Sequence, residues 1–299
     1  MKSVCMRRVL SHGSHEQNSG KQLAGRNKNR KKSGTLPHYN GIDSAGMTST
    51  DLFFMKLHQV KGRHVNSYIA EYADGLLVVD VAWRGEQYVL GYIVEVLKRQ
   101  PTDVKLVICT HGDPDHSGGI TNLAKACRAE IAIPYATHST VNKLINDPLG
   151  IFYRFATALR ESVRPRAWAM YASPKRDAHA RTLPRHWPEV EHHNDEFDGV
   201  PNFRLKNRTH LPGFSDWLVL HTPGHSWDSC CFYHASSGTL ISGDTLLGSS
   251  KKGVLVPPAI YSNPMQRRHT HHVLKKLDLT TVCPGHGSII EGSNLLDHL

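Results

Sequence analysis

Four side chains of the kind that hold metal ions stand within six residues, in Thr110-His111-Gly112-Asp113-Pro114-Asp115-His116. Imidazole nitrogens and carboxylate oxygens are ordinary ligands of zinc and of the harder first-row ions. His111, Asp113 and Asp115 alternate at i, i+2 and i+4, so an extended segment would turn all three to one side. Pro114 supports that geometry, because it pushes the residue before it out of the helical region. His116 adds an adjacent donor from the turn itself. Buried together without a cation, these groups would be costly through desolvation and carboxylate repulsion.

Three further signals lie downstream, each at the end of a predicted strand. They are His221-Thr222-Pro223-Gly224-His225-Ser226, Ser242-Gly243-Asp244-Thr245 and Pro284-Gly285-His286-Gly287. The glycines and prolines beside His225, Asp244 and His286 make sharp turns and let backbone pass close to a site. His221 and His225 cannot form a helical chelating pair, since Pro223 interrupts any helix between them. His138, His179, His186, His192, His193, His210, His269, His271 and His272 read as surface or supporting residues.

The elements that must position these donors follow from periodicity. Leu52–Gln59, Val65–Tyr72 and Leu76–Ala82 read as three strands separated by Lys61-Gly62 and Asp74-Gly75 turns. Gly85–Arg99 has helical apolar spacing, Val104–Thr110 is a buried strand, Thr121–Arg128 a helix and Ala129–Pro134 a strand. Asp147–Val163 reads as an amphipathic helix inside an irregular section, residues 138–213. Strand texture returns at Trp217–Thr222, Ser229–His234 and Thr239–Gly243. A helix at Pro264–Leu277 and a strand at Thr280–Pro284 follow. Strands interrupted by helices, twice over, point to sheet packed on sheet with helices outside.

Composition sets the limits. The 299 residues are 39% hydrophobic, enough for one sizeable core or two modest ones. No run approaches the roughly 18 apolar residues of a membrane helix, and no apolar h-region follows the basic start. With six cysteines and no CxxC pair, the expectation is reduced, partly buried thiols in a cytoplasmic protein. The net charge of +10 is uneven: residues 1–48 carry nine Lys/Arg against Glu16 and Asp43, which leaves only +3 for the rest. That segment is polar and of low complexity, so it reads as a disordered basic tail. Its Arg26–Lys32 run is a candidate arm for nucleic acid, but charge runs are weakly specific and a solvated leader is the preferred reading. Residues 49–299 form the expected catalytic domain, with 138–213 as a cap over its cleft.

Taken in order, the four motifs resemble the metallo-β-lactamase superfamily, whose signature runs HxHxDH, then H, then D, then H. The resemblance covers about residues 51–291 and implies a four-layer αββα sandwich. It further implies that His111, Asp113 and His225 hold one divalent ion, that Asp115, His116 and His286 hold a second, and that Asp244 bridges them. Asp113 departs from the family's usual His. Flavodiiron proteins have Glu there, and some phosphorylcholine esterases and DNA-uptake proteins have Asp. Zinc is the first expectation, and the oxygen donor at 113 admits Mn or Fe.

The implied activity is attack by a hydroxide between the metals on an ester, lactone, thioester or amide of a small-molecule substrate, with Asp115 orienting the nucleophile. A phosphodiesterase of the same fold and a non-hydrolytic iron enzyme acting on oxygen or sulfur species are the alternatives. Lactonase branches place Tyr just after the bridging Asp, where Leu246 and Leu247 stand here. Only 13 residues follow His286, too few for a glyoxalase II-type extension. His221 takes a structural role in this reading. Lys251 and Lys252 read as a solvated loop. Within the cap, Phe152, Phe155, Trp168 and Trp187 offer apolar contacts, though packing is their commoner use.

Overall fold

Alternation along the strands decides the layers of this fold. A computed structural model describes residues 55–63, 65–136, 141, 144–145, 147–165, 174–186 and 200–299. The expected tail, residues 1–48, lies outside these, as do Trp168, Trp187, His138, His192 and His193. In β3 (Leu76–Val79), Leu77 and Val79 enter one apolar layer, and Leu76 and Val78 enter another on the opposite face. Adjacent cysteines behave the same way in β9 (Cys230–His234), where Cys230 joins the first layer and Cys231 a third. A strand buried on both faces needs apolar residues at every position, which is why these segments read as continuous runs.

Two six-stranded sheets result. The first has the order β1-β2-β3-β4-β5-β6, adding β1 (Lys56–Lys61), β2 (Asn66–Glu71), β4 (Val104–Ile108), β5 (Glu130–Pro134) and β6 (Phe203–Leu205). The second runs β14-β13-β10-β9-β8-β7, with β7 (His210–Leu211), β8 (Phe214–His221), β10 (Thr239–Gly243), β13 (Thr281–Pro284) and β14 (Ile290–Glu291). Between them lie Tyr68, Leu77, Val79, Leu106 and Ile108 from one side, and Trp217, Val219, Phe232, Ile241 and Cys283 from the other.

Helices cover both outer faces. α1 (Glu86–Gly91) and α3 (Ile120–Cys127) contribute Val89, Leu90, Ile120, Leu123 and Cys127 to the first sheet's outer layer. Leu274 of α6 (Pro264–Leu274) packs with Tyr233, Leu240 and Val282 on the second. The architecture is the αββα sandwich expected from the sequence.

Topology brings the strand ends together. β3, β4 and β5 are mutually parallel, as are β10 and β13. β8 and β10 each run antiparallel to β9 and therefore point the same way. All the candidate donors sit just beyond the carboxyl ends of these strands, where α/β sheets commonly place their sites. Backbone bonds staple the two edges, from Cys230 N–H to the Thr110 carbonyl and from Asn66 N–H to the Gly285 carbonyl, both 2.8 Å.

Several elements differ from expectation. The helix predicted over Gly85–Arg99 is α1 followed by a π-helical turn, Tyr92–Val96, closed by Leu97 N–H on the Tyr92 carbonyl at 3.0 Å. Residues 203–211, placed in the cap by their irregular texture, instead supply an edge strand to each sheet. The pairing of β6 with β5 is long-range, and β7 is a two-residue strand beside β8, too short for local periodicity to reveal. Of the remaining 138–213 range, the described residues include α4 (Gly150–Ser162) and α5 (Pro174–Thr182). A two-stranded hairpin, β11 (Leu247–Ser249) and β12 (Val254–Val256), also went unpredicted.

The five cysteines among the described residues are all free and buried. Burial pushes the thiols of Cys127 and Cys283 up to about 12, so they act as packing groups. No helix of the described residues is long and apolar enough to cross a membrane. Phe232 is fully buried between the sheets. Phe232→Ala should therefore destabilise the chain by about 3–5 kcal/mol, read as a lowered Tm, and a loss under about 1 kcal/mol would mean that this layer is not tightly packed.

Candidate metal centre

Local backbone chemistry, more than strand alternation, sets the first group of donors. Asp113 is extended (ψ 143°), as expected before a proline, but Pro114 then opens a short helical turn, α2 (Pro114–Ser117). The sequence reading had His111, Asp113 and Asp115 on one extended segment, and that geometry is corrected here. Proline's fixed φ suits the first position of a helix, and the Asp113 carbonyl accepts from His116 N–H and Ser117 N–H at 2.8 Å. Asp115 and His116 thus project from a turn.

All seven sequence-predicted donors converge. They form three overlapping groups, His111 with His116 and Asp244, His111 with Asp113 and His225, and Asp115 with His116 and His286, each with donor atoms within 4.8 Å of one another. Asp113 Oδ2 lies 3.4 Å from both His111 Nε2 and His225 Nε2. His286 Nε2 is 3.3 Å from Asp115 Oδ2. Asp244 faces both groups, with Oδ1 at 3.3 Å from His116 and 3.4 Å from His286, and Oδ2 at 3.7 Å from His225. Bonds of about 2.1 Å at tetrahedral angles would separate ligand atoms by roughly 3.4 Å. These spacings suit a shared cation better than they suit hydrogen bonds.

The imidazoles are aimed by bonds on their other nitrogens. His116 Nδ1 donates to Asp80 Oδ2 at 2.8 Å, and His225 Nδ1 to the Ile260 carbonyl at 2.8 Å. Thr110 Oγ1 donates to Asp80 and accepts from His111 Nδ1 at 3.0 Å. In each case the Nε2 lone pair is left facing the cluster. Among the described residues, His111 Nε2, His116 Nε2 and Asp244 Oδ1 are buried and have no hydrogen-bond partner. Unmet buried polar atoms are expensive, and a divalent cation would satisfy all three.

Close backbone approach completes the site. A Cβ at Gly285 would fall 2.5 Å from His116 Cε1 and 2.8 Å from Asp244 Oδ1. Asn66 holds the same loop, donating from Nδ2 to the Pro284 and Gly287 carbonyls.

Sequence reasoning missed several supporting residues. Asp80 is fully buried at φ 60°, a left-handed conformation that costs a non-glycine residue about 1 kcal/mol or more. An acid directly after the apolar run Leu76–Val79 was the available signal. Asp228 joins two donor loops, accepting from Gly112 N–H at 2.8 Å and from Ser226 Oγ at 2.7 Å. Arg154, on α4, donates from Nη2 to Asp113 Oδ2. Nothing local marked either residue. His221 belongs to none of the three groups and donates instead to the Trp227 carbonyl at 2.7 Å. Lys251 and Lys252 are exposed in the β11–β12 turn.

Electrostatics keep the carboxylates charged. Burial alone would raise Asp113, but His111, His225 and Arg154 hold it well below the usual carboxylate range. Asp244 is likewise held far down, against burial, by His286 and His116. Asp115 is lowered too, by His286 and His116 against burial and Asp244. Conversely, burial works against protonation of His286, yet Asp244 and Asp115 push it up to about 10. In the metal-free chain that proton contributes stability below pH ~6.5, which is lost as pH rises through about 10.

Two outcomes follow. Metal binding near pH 7.5 should release at least about one proton per chain, because cation and proton compete for Nε2; calorimetry in buffers of differing ionisation enthalpy measures this, and zero release would show neutral imidazoles. His225→Ala should lose a metal ion, whereas His221→Ala should retain metal and lose about 1 kcal/mol of stability. The reverse pattern in elemental analysis would exchange their roles.

No curated protein sequence matches the chain significantly. Among solved structures, it is similar to a metallo-beta-lactamase family protein from Thermus thermophilus (20% identity, TM-score 0.49, covering 81% of this chain and 77% of that one). It is also similar to an archaeal superfamily protein from Sulfolobus tokodaii (14%, 0.49, 81% and 83%) and to a metallo-beta-lactamase from Pontibacter korlensis (16%, 0.48, 78% and 84%). A family model for the metallo-beta-lactamase superfamily matches residues 60–286, a span that contains every donor described above, and the chain belongs to that superfamily.

Proposed function

We propose that this chain is a binuclear metal-dependent hydrolase that opens acyl bonds of the ester, lactone, thioester or amide type. The observation that carries the reading is the set of buried, unpartnered donor atoms, His111 Nε2, His116 Nε2 and Asp244 Oδ1, within one cluster of seven metal-ligand side chains. His111, Asp113 and His225 would hold one ion, and Asp115, His116 and His286 the other. Asp244 would join them, one oxygen toward each. Four imidazoles favour zinc, while three carboxylates leave the centre open to Mn or Fe. When bound, the ions supply Lewis acidity, lowering the pKa of water and stabilising negative charge on the substrate's carbonyl oxygen.

The chain's own groups supply orientation. Asp115 is the most exposed of the three carboxylates, at 40%, and stays ionised beside His286. Its free oxygen can accept a hydrogen bond from the attacking water and direct its lone pair. α4 borders the centre, so substrate selection is assigned to the cap range that contains it. Residues 49–299 are the proposed catalytic domain.

The test is elemental analysis of protein purified without added metal, followed by a hydrolase screen. About two ions per chain and turnover of p-nitrophenyl esters above bis-p-nitrophenyl phosphate are expected. A preference for the phosphate diester would make the protein a phosphodiesterase, and oxygen consumption by an iron-loaded form without hydrolysis would end the hydrolase reading. A chain beginning at Met47 should give the same result, since every donor lies beyond it.

A further inference from the structure

Arg154 stands out because it brings a positive charge to a centre suited to cations. Its guanidinium reaches Asp113 from α4 and, among the described residues, has that carboxylate as its one polar partner. One of five N–H donors is thereby used. A guanidinium beside a metal site opposes cation binding, so its presence needs another explanation.

The position is built. Tyr261 N–H donates to Thr157 Oγ1 at 3.2 Å, one turn along α4, and Arg160 donates to the Ala259 carbonyl at 2.7 Å. Asn263 Nδ2 donates to Asp147 Oδ1 just before the helix, at 3.1 Å. These bonds tie α4 to the segment whose Ile260 carbonyl orients His225. Beside Arg154 opens a cavity of about 340 Å³, lined by Ile151, Phe155, Ala158, Ser226 and Ser262, in which Arg154 is the one charged side chain among the described residues. Ser226 follows the ligand His225 directly, so the cavity adjoins the metal centre. Phe155 is 68% exposed and Ile151 57%, which leaves apolar surface available along its wall.

Arg154 sets the ligand class, because among the described residues it is the charged group that lines the cavity and four of its five N–H donors are unused. Once an ion draws on the Asp113 carboxylate, that group holds Arg154 less strongly, and the guanidinium can turn its remaining donors to the cavity. Apolar walls lower the local dielectric and strengthen an ion pair formed there.

We propose that Arg154 is the specificity-determining residue of this site, and that it receives an anionic group of the substrate, carboxylate or phosphate, while the substrate's apolar part lies along Ile151 and Phe155. This rests on the hydrolase reading for its reaction, but the binding of an anion can be measured without turnover.

The experiment uses the metal-loaded full chain and two five-carbon esters that differ in one terminal charge, mono-p-nitrophenyl glutarate and p-nitrophenyl valerate. The wild type should favour the glutarate ester in kcat/KM, and Arg154→Ala should lower that preference about tenfold to a hundredfold, mainly through KM. Arg154→Lys should restore part of it, since it keeps the charge and loses the planar fork. Arg164→Ala, which removes an equal charge just beyond the same helix, should leave the preference unchanged. Calorimetric titration with glutarate and with inorganic phosphate distinguishes the two anions and applies whether or not either ester turns over. An absence of hydrolysis together with Arg154-dependent anion binding would overturn the hydrolase reading and keep this inference. Equal preference in wild type and Arg154→Ala, with glutarate and phosphate binding unaffected and metal content intact, would overturn it.

Discussion

Three carboxylates and four imidazoles are gathered at the facing edges of two sheets, and this concentration of buried charge is what the rest of the molecule has to accommodate. Asp113, Asp115 and Asp244 would repel one another in an interior of low dielectric. In the metal-free chain that repulsion is offset by protons on neighbouring histidines, with His286 pushed up to about 10. Cations would offset it more completely, because they also meet His111 Nε2, His116 Nε2 and Asp244 Oδ1. The same atoms are costly without a cation and stabilising with one, so stability and function are coupled at this point.

Holding seven donors at such spacing requires rigid supports. Asp80 supplies one from beneath, accepting from His116, from Thr110 N–H and from Thr110 Oγ1 with a single carboxylate. Its left-handed backbone is a local cost, tolerated where the surrounding layers fix it on every side. Asp228 supplies another, linking the Gly112 and Ser226 loops. The approach of Gly285 to His116 and Asp244 allows the two sheet edges to close to this distance at all. Removing any of these would loosen ligand geometry before it unfolded the sandwich.

α4 sits differently from the other helices. α1, α3 and α6 bury apolar stripes against the sheets, whereas α4 leaves Ile151, Phe152, Phe155 and Leu159 largely exposed and is tied down mainly by polar bonds. A helix held in that manner contributes less to the core than to the rim of the site. It carries Arg154 to Asp113, and through Tyr261 it abuts the segment that orients His225. The helix that reaches Asp113 therefore also braces the segment that aims His225.

Much of this was legible in the sequence. Continuous apolar runs such as Leu76–Val79 and Val104–Cys109 declared strands buried on both faces, and four motifs at strand ends declared the donors, because ligand chemistry and turn chemistry are both written locally. Pro223 excluded a helical chelating pair of His221 with His225, and the family resemblance gave the donor role to His225. What the sequence left open depends on distance along the chain. β6 becomes a strand only through its distant partner β5, and neither the two-residue β7 nor the hairpin after Asp244 had a strong local pattern. Pro114 was legible in two ways at once, and the turn it opens settled how Asp115 and His116 project. Asp80, Asp228 and Arg154 acquire their roles through contacts with residues 30 to 116 positions away, to which Asp228 adds a local bond from Ser226. The sequence determined which atoms could bind metal. The tertiary structure decided which of their other atoms are held, and by what, since a lone pair's direction depends on neighbours that only folding brings near.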